Sequence, residues 1–311
     1  MHRKRTRLFS SRLIMKMWIF AFLAALAVGA SAQSCPSTCA TMKWGVCDGP
    51  PCLCYLLVDN GTKQPIDCTA LVPKCFLMKA EMYRARNGLS TRSIAGKPHE
   101  TAIVDNDGIY DPECENDGKF KAKQCNGTDV CWCVNSAGVR RTDKGDQTLK
   151  CEKLVETYWV RLQLTHKEGP TNVNKDNLKT AIANELNSRY QLSPSLVKDV
   201  QYDPDARMIV VDVNKEKGDR SYDLSKMAYY MEKDVKVLPL FTDQSRNFTP
   251  SVDGQTLVME KIIVYYVDEE APSFRPSPPV GGSSSTSCTM WMRIPQLFVH
   301  LILLFQFFLH F

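Results

Sequence analysis

The chain reads as an α+β multidomain protein: two small disulfide-rich modules followed by a larger cysteine-free α/β domain. Three observations predict this. Twelve of the 13 cysteines fall between Cys35 and Cys151, the density of a disulfide framework in a small secreted module. Residues 152–268 contain none, yet their apolar residues recur at strand and helix spacings, so this part holds together by packing. The first 32 residues carry a basic stretch and then a short apolar run, the pattern that directs a chain into an oxidising compartment.

In chain order, residues 1–32 come first as a signal peptide. Arg3, Lys4, Arg5, Arg7, Arg12 and Lys16 precede the apolar run Met17 to Val28, and Ala30-Ser31-Ala32 supplies small residues for cleavage. A run of about 12 residues is too short for a bilayer core that needs about 20, which argues against the competing reading of an uncleaved anchor. Residues 33–74 form a cysteine-rich N-terminal domain with Cys35, Cys39, Cys47, Cys52, Cys54 and Cys68. Residues 75–151 form a second module with Cys75, Cys114, Cys125, Cys131, Cys133 and Cys151. Both are small and polar, so covalent loop closure takes over work that a core does in larger domains.

Residues 152–270 carry the α/β domain. Tyr158, Val160, Leu162 and Leu164 alternate with Trp159, Arg161, Gln163 and Thr165 as a two-faced strand. Leu178, Ala181, Ile182 and Leu186 follow at helical spacing. Leu196–Tyr202 and Met208–Val213 are extended runs around the turn signal Asp203-Pro204-Asp205. Leu224, Met227, Ala228, Met231 and Val235 make a second helical stripe of core residues, and Lys261–Val267 is a β-prone run. The order β-α-β-β-α-β is that of a ferredoxin-like split βαβ sheet with helices on one face.

Residues 271–287 are a Pro/Gly/Ser stalk, and residues 288–311 a C-terminal hydrophobic signal. Its apolar run, Leu297–Phe311, reaches only about 22 Å as a helix, against a bilayer core of about 30 Å. Small residues, a spacer and an apolar tail are the parts of a glycolipid (GPI) anchor signal. The expected attachment sites are Ser283 and Ser285, with Cys288 discarded in the tail. A short transmembrane stub and an incomplete C-terminus are the competing readings.

The formal charge of +5 comes from these ends. Seven basic residues lie in residues 1–32 and 286–311, which hold no acid; residues 33–285 carry −2. The basicity belongs to targeting and gives no argument for nucleic acid.

Catalysis finds little support. His2, His300 and His310 lie in the terminal segments, leaving His99 in a polar loop and His166 at a strand end. No nucleophile elbow or phosphate-binding loop is present, and Glu269-Glu270 reads as a solvated charge run beside the stalk. Cys52-x-Cys54 and Cys131-x-Cys133 have the look of zinc half-sites, but behind a signal peptide they are expected in disulfides. No cofactor or metal is expected. Asn60-Gly61-Thr62, Asn126-Gly127-Thr128 and Asn247-Phe248-Thr249 are glycosylation acceptors, the last weakened by Pro250; they predict solvent-facing edges at Asn60, Asn126 and Asn247. Spacing alone leaves the disulfide connectivity open.

Gln124-Cys125, Cys131-Trp132-Cys133-Val134 and the closing Cys151 resemble a thyroglobulin type-1 module. Asn106-Asp107-Gly108-Ile109-Tyr110-Asp111-Pro112, Phe120-Lys121-Ala122-Lys123-Gln124-Cys125-Asn126-Gly127 and Tyr265-Tyr266-Val267-Asp268-Glu269 resemble the epithelial cell adhesion molecule family, which includes the trophoblast cell-surface antigen. The resemblance runs in order over about residues 35–274. It implies the pairings Cys35–Cys52, Cys39–Cys68, Cys47–Cys54, Cys75–Cys114, Cys125–Cys131 and Cys133–Cys151. It also implies cell adhesion at epithelial surfaces through homophilic cis dimers, a loop within residues 83–100 packing on the partner copy's α/β domain. The chain departs from the family pattern at Cys35-x-x-x-Cys39, where the family spaces the pair by one residue. It also shows no full membrane helix with a basic tail, and no dibasic site in the thyroglobulin loop.

The expected protein is thus a non-enzymatic surface glycoprotein at the extracellular face of the cell membrane. It binds itself and is held by a lipid anchor or a short C-terminal segment. The runner-up is an inhibitor of papain-like cysteine proteases, the role of many thyroglobulin modules.

Overall fold

The structure, a computed structural model, describes residues 35, 38–89, 110–169, 173–236, 238–245 and 247–270. All of these belong to one compact unit.

The N-terminal part is an antiparallel sheet in sequential order: β1 (Thr38–Cys39), β2 (Met42–Asp48), β3 (Leu53–Val58) and β4 (Thr62–Ile66). The β3–β4 hairpin turns at Asp59-Asn60-Gly61, where Asp59 and Gly61 take positive φ, a conformation that Gly, Asn and Asp tolerate best. Helix α1 (Lys74–Arg86) starts directly after Pro73 and ends where the Asn87 side chain donates to the Tyr83 carbonyl. Cys75–Cys114 ties α1 to the following module. That module has little regular structure: β5 (Lys123–Cys125) pairs with β6 (Cys131–Cys133). Its small core is Cys75, Tyr110, Phe120, Trp132 and Val134, with Tyr110 edge-on to Trp132 at 5.0 Å between ring centres.

The α/β part follows the expected element order. Strand β7 (Thr157–His166) leads to α2 (Lys175–Tyr190), β8 (Val197–Asp203), β9 (Met208–Asn214), α3 (Leu224–Val235) and β12 (Met259–Asp268). The sheet order is β12-β7-β9-β8 with every neighbour antiparallel, the split βαβ arrangement. Asn174 caps α2 by accepting from the backbone N–H of Asp176 and Asn177, a cap worth about 1 kcal/mol. A short hairpin, β10 (Ser251–Val252) and β11 (Gln255–Thr256), turns at Asp253-Gly254 between α3 and β12.

Alternation decides which face is buried. Val160, Leu162 and Leu164 of β7 and Ile209, Val211 and Val213 of β9 are fully buried, together with Leu178, Ile182 and Leu186 of α2 and Met227, Ala228 and Met231 of α3. The same core takes in Met42, Leu56, Leu71, Val72 and Leu77 from the N-terminal segment and α1. So residues 38–72 close no separate apolar core. Their one apolar face packs on the α/β part, where the Tyr230 hydroxyl donates to the Thr41 carbonyl and accepts from the Val72 N–H. Lys43 N–H to Leu240 O and Thr242 N–H to Ala40 O complete the seam.

Candidate binding surface

Both helices cover one face of the β12-β7-β9-β8 sheet, and among the described residues no layer covers the other face. Residues with period two on adjacent antiparallel strands line up across it. One row runs Tyr265, Arg161, Asp212, Asp199, and the next Ile263, Gln163, Val210, Gln201. Tyr265 and Ile263 are each 48% exposed, an apolar pair on an edge strand.

Beside them the surface is fixed by polar contacts. The Arg161 guanidinium donates twice to Asp212, at 2.7 and 2.9 Å, and the Trp159 indole N–H donates to the same carboxylate at 3.0 Å. The Arg161 guanidinium also stands 5.1 Å from the centre of the Trp159 ring. The hydrogen bonds to Asp212 raise the Arg161 pKa further. Gln163 donates to the Met208 sulfur and accepts from the Tyr265 hydroxyl. A bidentate pair beside half-exposed aromatic and aliphatic groups is a pre-ordered surface, which loses little entropy on binding.

Next to this face, the end of β12 is clamped. Asp268 accepts from Arg141 Nε at 2.9 Å, Asn135 Nδ2 at 2.7 Å and the Thr157 hydroxyl at 3.1 Å. Glu269 accepts from Arg220 and from the Gly218 N–H, and its N–H donates to the Glu156 carbonyl. Glu270 pairs with Lys153, and its carbonyl accepts from Arg141. Burial raises the Asp268 pKa, opposed by its hydrogen bonds and the Arg141 charge. The Arg220 and Gly218 donors pull the Glu269 carboxyl down to about 2. The expected solvated run Glu269-Glu270 is therefore corrected at Glu269, whose carboxylate is held by Arg220 and the Gly218 N–H; Glu270 is exposed, in a surface pair with Lys153. Their partners lie far away in sequence, so no local pattern could disclose them.

The six bonded cysteine pairs are Cys35–Cys52, Cys39–Cys68, Cys47–Cys54, Cys75–Cys114, Cys125–Cys131 and Cys133–Cys151. The two C-x-C segments accordingly hold no pair of free thiolates for zinc. Asn60, Asn126 and Asn247 are exposed, and none lies on the four strands of the open face. His166 is buried, its ring nitrogens against the Lys167 carbonyl and the Tyr202 hydroxyl. His99, Ser283, Ser285 and residues 90–100 of the expected contact loop lie outside the described residues. Residues 83–89 finish α1 and the turn after it. The outward pair Ile263 and Tyr265 was readable in principle from the alternation of Lys261–Val267, once Ile262 is placed inward.

Two family models match the chain: EPCAM/Trop-2, C-terminal, over residues 157–268, and Thyroglobulin type-1 repeat over residues 88–151. Tumor-associated calcium signal transducer 2 of Mus musculus is 42% identical over 242 residues, 76% of this chain and 74% of the relative. The Homo sapiens protein of that name is 40% identical over 255 residues, 80% and 76% of the two chains. Epithelial cell adhesion molecule of Homo sapiens is 42% identical over 217 residues, 69% of this chain and 66% of the relative. The chain belongs to the EpCAM/Trop-2 family, with a thyroglobulin type-1 repeat at residues 88–151.

Proposed function

We propose that this cell-surface protein acts as an adhesion glycoprotein that binds a second copy of itself in cis, through the open face of the β12-β7-β9-β8 sheet, and that it is held to the membrane by a glycolipid at Ser283 or Ser285. The carrying observation is that face: Ile263 and Tyr265 are exposed side by side, next to the rigid Trp159–Arg161–Asp212 group. An aromatic anchor within a pre-ordered polar surround is the composition of an interface centre. The three glycan acceptors lie off its four strands. One further observation supports the reading: relatives bear the name epithelial cell adhesion molecule.

The test uses full chains with two different tags, co-expressed on cells. One tag is expected to co-purify the other, and Tyr265→Asp with Ile263→Asp is expected to abolish this while surface expression persists. Unchanged co-purification by the double variant sinks the assignment of the face. Phosphatidylinositol-specific phospholipase C is expected to release the protein from cells. Retention, with a control protein released, counts against the anchor. Inhibition of a papain-like protease without self-association would favour the thyroglobulin-inhibitor reading instead.

A further inference from the structure

Three sulfurs that do not share one bond meet in the N-terminal sheet. Cys47 and Cys54 face each other in register across β2 and β3 and are bonded. Cys68, just past β4, is bonded to Cys39 of β1. The Cys47 sulfur lies 4.0 Å from the Cys68 sulfur, and the Sγ atoms of Cys47, Cys54 and Cys68 all fall within 4.8 Å of one another. Two disulfides therefore lie against each other. Cys125–Cys131 is also a register pair across two strands, but among the described residues no third sulfur clusters with it.

A thiolate beside a disulfide exchanges with it, since attack on sulfur needs only contact, a thiolate and a leaving thiol. We propose that this cluster is a thiol–disulfide exchange site whose substrate is a dithiol reductant. One thiolate of the dithiol attacks the sulfur of Cys54, which is more exposed than the buried Cys47. The Cys47–Cys54 bond breaks, Cys54 is held in a mixed disulfide, and Cys47 leaves as the thiolate. Cys47 then attacks Cys68: the Cys47–Cys68 bond forms, the Cys39–Cys68 bond breaks, and Cys39 leaves and takes a proton from water. The second thiolate of the reductant attacks its own sulfur in the mixed disulfide, freeing Cys54 and closing the reductant's disulfide. Two electrons have entered the protein. One protein disulfide is lost, and the surviving one has moved from Cys39–Cys68 to Cys47–Cys68.

The exchange has a structural consequence that simple reduction of Cys47–Cys54 lacks. Cys47 and Cys54 sit on strands already joined by hydrogen bonds. Cys39 is fully buried, and its carbonyl accepts from the Thr242 hydroxyl, one residue before the Ala40 carbonyl that accepts the Thr242 N–H. Moving the bond off Cys39 therefore frees the strand that forms the seam with residues 238–242. A reductant arriving at the surface of β3 thus acts on a buried contact that it cannot touch.

The full chain, purified in detergent, is titrated with dithiothreitol, quenched in acid, denatured, and alkylated so that mass spectrometry reads each free thiol. The expected product carries label on Cys39 and Cys54 in equal yield, with Cys47 and Cys68 recovered as one cross-linked peptide. Labels on Cys35 and Cys52, an exposed bond reduced independently, are counted apart. Label on Cys47 and Cys54 with Cys39–Cys68 intact overturns the proposal, as does survival of Cys47–Cys54 until the whole chain unfolds. A second measurement needs no reductant. In Cys54→Ser the free thiol is expected to divide between Cys47 and Cys39, whereas in Cys131→Ser it stays on Cys125. A thiol confined to Cys47 in the first variant also overturns the proposal.

Discussion

Asp234 on α3 is fully buried, and its carboxylate takes hydrogen bonds from Arg189 Nε and the Tyr190 hydroxyl, both at the end of α2. The Arg189 side chain is 6% exposed, so the ion pair has almost no water to fall back on. Burial and the Asp234 charge raise the Tyr190 pKa, which keeps its phenol a donor. Asp234→Ala strands a buried guanidinium and is expected to cost about 3–5 kcal/mol, read as a lower urea midpoint with an unchanged denaturant slope. A loss within the range of an ordinary surface substitution, about 0.5 kcal/mol, would show that the pair is exchanged for solvent. Neither Arg189 nor Asp234 stands out in the sequence. A charge at the end of a helical stripe looks like any solvated charge until the opposite helix is known.

At the scale of elements, the sheet and its two helices were legible because each presents one apolar face, and periodicity encodes that locally. Val160, Leu162 and Leu164 announce β7, and Met227 and Met231 announce the inner side of α3. The hairpin β10–β11 went unread, although Asp253-Gly254 is a turn signal, since two-residue strands carry no period. The clamp on β12 is not legible in the sequence because Asp268 and Glu269 meet residues of the thyroglobulin module and of the β9–α3 loop. It makes a pH prediction with two opposite signs. Glu269 titrates at about 2 when folded against an ordinary 4.5, so its contribution is whole above pH 4.5 and disappears as pH falls towards 2. Asp268 is shifted upward, so ionisation there costs stability, and acid relieves that cost as pH falls through its folded pKa. The stability difference between wild type and Glu269→Gln, from urea melts, is therefore expected to be constant above pH 4.5 and to shrink to nothing near pH 2. A difference independent of pH over that range would show that Glu269 acts through shape and not through charge.

Over the whole molecule, the cysteine pattern correctly marks where covalent closure is needed, but it hides how the parts share a core. Residues 33–74 look self-sufficient in the sequence because their six cysteines suggest a closed module. In the structure their apolar side completes the α/β core through Met42, Leu56 and Val72. Tyr230 is the hinge of that arrangement, bonding the backbone at both Thr41 and Val72. Tyr230→Phe keeps the ring and leaves two buried backbone groups short of a partner, an expected loss of about 1–3 kcal/mol. Hydrogen exchange should localise the added opening to residues 38–43 and 238–242; uniform loss over all strands would mean that the two parts unfold only together. The clamp has one more meaning at this scale. The chain passes beyond Glu270 from the end of β12, an edge strand whose neighbour in the sheet is β7, while β7 begins at that same end. Traction between the thyroglobulin module and the residues after 270 would thus pull the two strands apart like a zipper, loading one hydrogen bond at a time. Lys153 to Glu270 and Glu269 to Glu156 bridge the two lines of pull before the first rung, and Arg141 to Asp268 reinforces that rung, so these contacts share the tension before it loads the rest of the sheet.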